Sequence, residues 1–217
     1  MKQGILFDLD GTLWDSSRQV VEAWNEVLAK QADVKRRITV EDMQSFMGLP
    51  MDEIGRRCFQ EENLTPERIR EIMKTCEAYE NEYIRQHGGI LFPHVEEVLQ
   101  ELSKDYVLAV VSNCQVGYIE AFLEYHKLSP YISDHESFGN TGLQKGDNIR
   151  LVCERNHFEQ AVYVGDIQGD YDSACKAGIP FILAGYGFGS VDADVPVINN
   201  LTELPRVVRT CLEEGPT

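Results

Sequence analysis

The stretch "ILFDLDGTLWD", residues 5–15, carries an apolar run straight into two carboxylates, Asp8 and Asp10, and then into a glycine turn. A strand that needed only to end could do so on one polar residue. Two acids flanking Leu9 mark this strand end as a place where chemistry happens. The run itself, "GILF" at 4–7, is continuous rather than alternating, the pattern of a strand buried on both faces of a parallel sheet. The same character returns in "VLAVVS" (107–112), "AVYVGD" (161–166), "IPFILA" (179–184) and "VPVI" (195–198).

Helical spacing separates these runs. Val95, Val98, Leu99 and Leu102 share one face, as do Ile119, Phe122 and Leu123; residues 147–157 and 170–177 follow, the latter stopped by Gly178. Alternating strands and helices predict an α/β fold with a doubly wound, Rossmann-like parallel sheet. The exception is residues 16–88, where no strand-like run occurs. Val20, Trp24, Val27 and Leu28 mark one helix there, and Ile69, Ile72, Met73, Cys76, Tyr79 and Tyr83 another. Between them "FMGLPMDEIGRRCF" reads as helix, Gly-Pro turn, helix. This is too much helix for one crossover. It predicts a helical insert over 16–88 above a core formed by 1–15 and 89–217.

Composition narrows the function classes. With 217 residues and a net charge of −16, the chain suits neither nucleic acid nor an anionic membrane surface as partner. No apolar run approaches a membrane span, and the stretch between Lys2 and Asp8 is too short for a secretory core. Six scattered cysteines without a CxxC pair predict reduced thiols in a cytoplasmic protein, with neither zinc nor disulfides.

In open α/β sheets the reactive crevice lies at the C-terminal strand ends. Here those ends carry Asp8 and Asp10, then Ser112 and Asn113, then Asp166 followed by Asp170. Four carboxylates converging on one crevice require a cation among them, and oxygen ligands without clustered His or Cys favour Mg²⁺. Each fragment alone has a plainer reading. Asp-x-Asp-Gly can be an ordinary turn, Ser112-Asn113 a strand end, Asp166 and Asp170 helix caps, and Lys145 in "TGLQKGDN" a solvated loop lysine. Their joint occurrence, in order, at the ends of one sheet is what carries the inference.

Taken together, these segments resemble a family. "FDLDGTLWDS" is similar to the first motif of the haloacid dehalogenase-like hydrolases, "VVSN" to the second, Lys145 to the third, and "VYVGDIQGDYDSACKAG" to the fourth. The insert falls where that family's type 1 helical cap falls. The chain departs from the pattern at Lys145-Gly146, where the family commonly has Lys-Pro. The resemblance implies that Asp8 is a nucleophile forming an aspartyl-phosphate and that Asp10 is the acid and base. It implies Mg²⁺ held by the Asp8 side chain, the Asp10 backbone carbonyl and Asp166, with Asp170 a ligand or a support for the ligands. Ser112, Asn113 and Lys145 would hold the phosphoryl oxygens.

Within the family, Asp10 argues against halide removal, which needs no proton. The stretch "DSSRQVVEAW" is similar to the sugar-phosphate mutase branch, but Val20 stands where those enzymes typically carry His. The cap lysine of the phosphonate-cleaving branch would have to be Lys30 or Lys35, both in the polar "AKQADVKRR". The chain is most similar to the phosphoglycolate-phosphatase group, which implies a small phosphorylated metabolite as substrate; the oligomeric state stays open between a monomer and a weak dimer. A sugar-phosphate mutase and a non-catalytic binding module are the alternatives. The cap loop Gly48-Leu49-Pro50 matches the family's substrate-specificity loop in position, followed by Arg56 and Arg57. Arg56 either reads a second anionic group on the substrate or solvates an amphipathic helix. Trp24, Tyr79 and Tyr83 are expected in the cap core. "RQHGGILFPH", with His87 and His94 around Gly88-Gly89, reads as a hinge.

Overall fold

The computed structural model describes residues 2–49 and 51–213, so Pro50 of the cap loop lies outside it, as do the last four residues. Strand β1 (Gln3–Phe7) is followed by β2 (Trp14–Asp15) and by four helices, α1 (Ser17–Leu28), α2 (Val40–Phe46), α3 (Met51–Cys58) and α4 (Pro66–His87). The chain returns through β3 (Ile90–Leu91) into α5 (Val95–Leu102), β4 (Val107–Ser112), α6 (Tyr118–His126), β5 (Asp134–Ser137) and α7 (Phe138–Thr141). It ends with α8 (Lys145–Asn156), β6 (Gln160–Gly165), α9 (Gln168–Ala177), β7 (Phe181–Ala184), β8 (Val197–Ile198) and α10 (Leu204–Glu213).

The main sheet runs β5-β4-β1-β6-β7-β8 with every neighbouring pair parallel. Alternate strand residues enter two cores. Ile5, Phe7, Leu108, Val110, Val162 and Val164 pack on one face; Leu6, Ala109, Val111, Ala161 and Tyr163 pack on the other. Burial on both faces is why these strands read as unbroken apolar runs. β5, "DHES", gave no such signal. It is an edge strand, and Arg155 of α8 neutralises its acids by pairing with Asp134 at 2.6 Å and Glu136 at 2.7 Å.

The helical cap is organised by α1 against α4. Trp24 and Val27 share a buried cluster with Ile72, Met73 and Cys76. Thr39 caps α2, and Thr65 caps α4 ahead of Pro66, a residue suited to a first helical position. The outer edge of this pair is tied by Tyr83, which donates to Glu22 at 3.0 Å, and Tyr79, which donates to Glu26 at 2.5 Å. The entry and exit of the cap lie side by side, because β2 and β3 pair antiparallel, Trp14 opposite Leu91 and Asp15 opposite Ile90. The Gly88-Gly89 corner thus leads into a paired ribbon.

Candidate active site

β1 lies between β4 and β6, where the winding of the sheet reverses, so the chain leaves its C-terminal end into a crevice rather than against a covering helix. Asp8 is the first residue past that end, Ser112 closes β4, and Asp166 follows β6. All three are buried. Lys145, the first residue of α8, is also buried and is no solvated loop lysine. Its ammonium donates to Asp8 Oδ1 at 2.9 Å and to Asp170 Oδ1 at 2.6 Å. Gly146 lets α8 approach α9: a Cβ there would fall 2.9 Å from the Ser173 carbonyl oxygen. That close approach gives a physical reason for glycine after the lysine.

Asp170 is held rigidly. Its Oδ2 accepts the backbone N–H groups of Asp166 at 3.0 Å and Ile167 at 3.2 Å, while Oδ1 takes Lys145. Asp166 accepts the Phe188 N–H at 2.8 Å and the Thr12 hydroxyl at 3.4 Å. Ligand oxygens of Asp8, Asp166 and Asp170 lie within 4.8 Å of one another. Crowding governs their acidity. Burial, then the charges of Asp170 and Asp8, pushes Asp166 up to about 8. Burial and Asp170 raise Asp8 to about 6, with Lys145 pulling the other way. Burial opposes the charge of Lys145, but the Asp170 and Asp8 carboxylates overcome it and its pKa is raised. A buried, oxygen-only group whose members repel each other suits a hard divalent cation. Gly11 completes the cradle. It sits at φ +84°, and a Cβ there would lie 2.1 Å from Asp166 Oδ2.

Asp10 turns to a different set of partners. Its Oδ1 accepts from the Ser16 hydroxyl at 2.6 Å and the Tyr118 hydroxyl at 3.1 Å, and those two hydroxyls lie 2.8 Å apart. Burial pushes its carboxyl up to about 7, with the hydrogen bond from Ser16 opposing and the charge of Asp8 adding. Burial thus pushes both carboxyls up, while their partners differ: the Lys145 ammonium for Asp8, two hydroxyls for Asp10.

Above them, Asp10, Ser112 and Asn113 share a crevice of about 50 Å³ with cap residues that include Trp24, Met47, Gly48 and Glu80. Asn113 donates its side-chain amide to the Gly48 carbonyl at 3.1 Å, which ties the cap loop to the sheet. Gly48 has φ +79°, and a Cβ there would fall 2.4 Å from Ile167, the residue after Asp166. Trp24, expected in the cap core, is both buried core and crevice wall.

Of the two readings offered for Arg56, its geometry is that of a solvated helix. It is two-thirds exposed and binds Glu53 one turn back at 2.7 Å, as Arg57 does at 2.6 Å. It lines a separate outer groove between α3 and α4, with Gly55, Ile69 and Met73. The reason is helical geometry: i to i+3 pairing with Glu53 satisfies the guanidinium on the solvent face.

Three contributors were not foreseen. Phe188 acts through its backbone, which leaves no trace in side-chain chemistry. Gln115 lies just past the "VVSN" strand end and donates to Glu80 at 3.0 Å. Glu80 itself had a signal. It occupies the buried stripe of α4, between Cys76 and Ile84 at helical spacing. A charged residue in that stripe calls for a partner or a purpose.

Comparison with known proteins agrees with this geometry. Residues 5–184 match the family model described as haloacid dehalogenase-like hydrolase. A phosphoglycolate phosphatase from Photobacterium profundum is 28% identical over 219 residues, covering 94% of this chain and 95% of the relative. The Aliivibrio fischeri phosphoglycolate phosphatase is 27% identical over 194 residues, covering 85% and 84%. The structure of a haloacid dehalogenase-like family hydrolase from Streptococcus pneumoniae shares the fold, with TM-score 0.80 at 23% identity over 94% of this chain and 97% of that one. Among the described residues, no helix is long and apolar enough to cross a membrane.

Proposed function

The chain belongs to the haloacid dehalogenase-like hydrolase family, and on that premise we propose that it is a Mg²⁺-dependent phosphatase that hydrolyses a small phosphomonoester through an aspartyl-phosphate on Asp8. The observation that carries this reading is the bridge made by Lys145 between Asp8 and Asp170 beside Asp166, with Asp10 at the same mouth. Residues 16–88 act as the cap that closes over the site, and residues 1–15 with 89–217 form the hydrolase core.

Asp8, Asp166 and the Asp10 backbone carbonyl would hold the ion, with Asp170 behind them fixing Asp166 and Lys145. When bound, Mg²⁺ supplies the positive charge that lets a carboxylate and a phosphate dianion approach each other. An oxygen of Asp8 attacks phosphorus while the bond to the ester oxygen breaks, and Asp10 gives that oxygen its proton. In the second step Asp10 takes a proton from water, the water oxygen bonds to phosphorus, and Asp8 leaves as a carboxylate. A carboxyl held near 7 can serve in both directions. Ser112, the backbone at Asn113 and Lys145 hold the phosphoryl oxygens, and Lys145 offsets charge in the transition state.

Val20 on the crevice wall supports hydrolysis over sugar-phosphate isomerisation, because a valine carries no proton between substrate and solvent. The test is phosphate release from a panel of phosphomonoesters, with and without Mg²⁺, on wild type and Asp8→Asn. Release that requires both Mg²⁺ and Asp8 supports the reading. Absence of release from every ester by folded protein overturns it.

A further inference from the structure

Resting on the phosphatase reading above, we propose that this site takes phosphomonoesters whose alcohol part carries no anion and presents an N–H or O–H donor to Glu80.

The crevice wall is apolar on the cap side, with Val20, Met43, Met47, Leu49, Met51 and Ile54. Among the described residues, no lysine or arginine lines it. Lys145 serves the floor, committed to Asp8 and Asp170. Arg56 and Arg57 are committed to Glu53 outside it. A carboxylate on the alcohol part of the substrate would therefore enter a buried apolar space without a counter-charge, which is costly.

What the wall offers instead is Glu80, 4% exposed and bordering the crevice. Its two oxygens accept one hydrogen bond each, from the Trp24 indole N–H and from the Gln115 amide. Gln115 also donates to Asn81 at 3.2 Å, so the carboxyl is held in one orientation. Both donors are neutral, and a carboxylate has about four acceptor positions. Acceptor capacity thus remains for a donor on the substrate, and an ammonium group would also supply the missing charge. Burial pushes the Glu80 carboxyl up to about 8 even against those two hydrogen bonds, as expected for an acid with no cation beside it. Ionised, it repels an anion; protonated, it brings no counter-charge and keeps acceptor capacity for a substrate donor.

The narrowness of the crevice, about 50 Å³, suits a compact alcohol part. Three esters of matched size separate the cases: phosphoglycolate, hydroxyethyl phosphate and aminoethyl phosphate. The specificity expected here differs from the substrate in the names of the curated relatives.

The experiment measures kcat/KM for the three esters with the full chain and Mg²⁺. Hydroxyethyl and aminoethyl phosphate are expected to exceed phosphoglycolate by about tenfold or more. Glu80→Gln should shrink the advantage of aminoethyl phosphate over phosphoglycolate by about tenfold, mainly through KM. Met47→Lys, which places an ammonium on the wall, should raise phosphoglycolate turnover relative to the other two. If Glu80→Gln fails to fold, the wild-type ranking and Met47→Lys still decide. A wild-type preference for phosphoglycolate overturns the proposal while leaving the phosphatase reading intact. So does a ranking that Glu80→Gln leaves unmoved. No release from any ester, under conditions where the protein is folded and Mg²⁺ is present, overturns both.

Discussion

The Lys145 ammonium lies 2.9 Å from Asp8 Oδ1 and 2.6 Å from Asp170 Oδ1, and none of the three side chains is more than 2% exposed. Removing one partner of such a buried pair leaves uncompensated charge, which costs about 3–5 kcal/mol. Lys145→Met is therefore expected to lower the melting temperature sharply in chelator. Mg²⁺ should restore part of the loss, since the ion would take over neutralisation of Asp8. Thermal unfolding with and without Mg²⁺ checks this; an equal loss in both conditions would mean that the lysine and the ion do not share a counter-charge role.

Asp8→Asn should reduce turnover by about three orders of magnitude or more while leaving the fold intact. The substitution removes one carboxylate from Lys145 but leaves that ammonium paired with Asp170 at 2.6 Å, and burial already disfavours the Asp8 charge. Circular dichroism at pH 8 should accordingly show a retained fold.

Asp10→Asn should impair esters in proportion to the basicity of their leaving alcohols. An activated aryl ester leaves without a proton and should lose least in the first step; alkyl esters should lose about a hundredfold or more. A plot of rate against leaving-group pKa that keeps the wild-type slope would remove Asp10 from the acid role.

The amino-acid pattern alone marked most of the acidic floor of the candidate site, because each element announces itself locally. The unbroken run of residues 4–7 marks a strand covered on both faces, and Asp8, Asp166 and Asp170 keep fixed offsets from strand ends. β5 was hidden because its four side chains are polar, and its two acids are satisfied by Arg155 rather than by an apolar core. Arg56 stayed ambiguous because a charge run after a cap loop looks the same whether it faces the crevice or Glu53. Glu80 and Gln115 come from opposite sides of the cap–core seam, and only packing α4 over the end of β4 brings them together.

The acids near the site also set the pH dependence of stability. Asp10, Asp166 and Glu80 hold folded values of about 7, 8 and 8, above the ordinary carboxyl values of 3.8 and 4.5. Because the folded state keeps these protons longer, their contribution is fully present below pH 4 and is lost as pH rises towards 8. Metal-free protein is therefore expected to lose stability across pH 5–8, by up to about 1.4 kcal/mol per pH unit for each proton retained. Mg²⁺ should flatten the curve at its upper end. Glu80→Gln should flatten it without metal, so denaturant melts at pH 5 and pH 8 in chelator separate the two contributions.

Gly11 gives the last test, because two substitutions with similar backbone cost have different consequences for the site. Gly11 and Gly142 both have positive φ, +84° and +70°, so alanine strains either by about 1 kcal/mol or more. At Gly142 nothing lies within 4 Å of the added methyl, whereas at Gly11 it would fall 2.1 Å from Asp166 Oδ2 and displace that carboxylate. Gly142→Ala should lose stability but keep its Mg²⁺ requirement. Gly11→Ala should need about 10–100-fold more Mg²⁺ for half-maximal rate, the usual consequence of moving the support of a ligand. Titrating phosphate release with Mg²⁺ for both variants compares them directly. Equal Mg²⁺ requirements would mean that Asp166 tolerates the displacement and that the glycine serves only the turn.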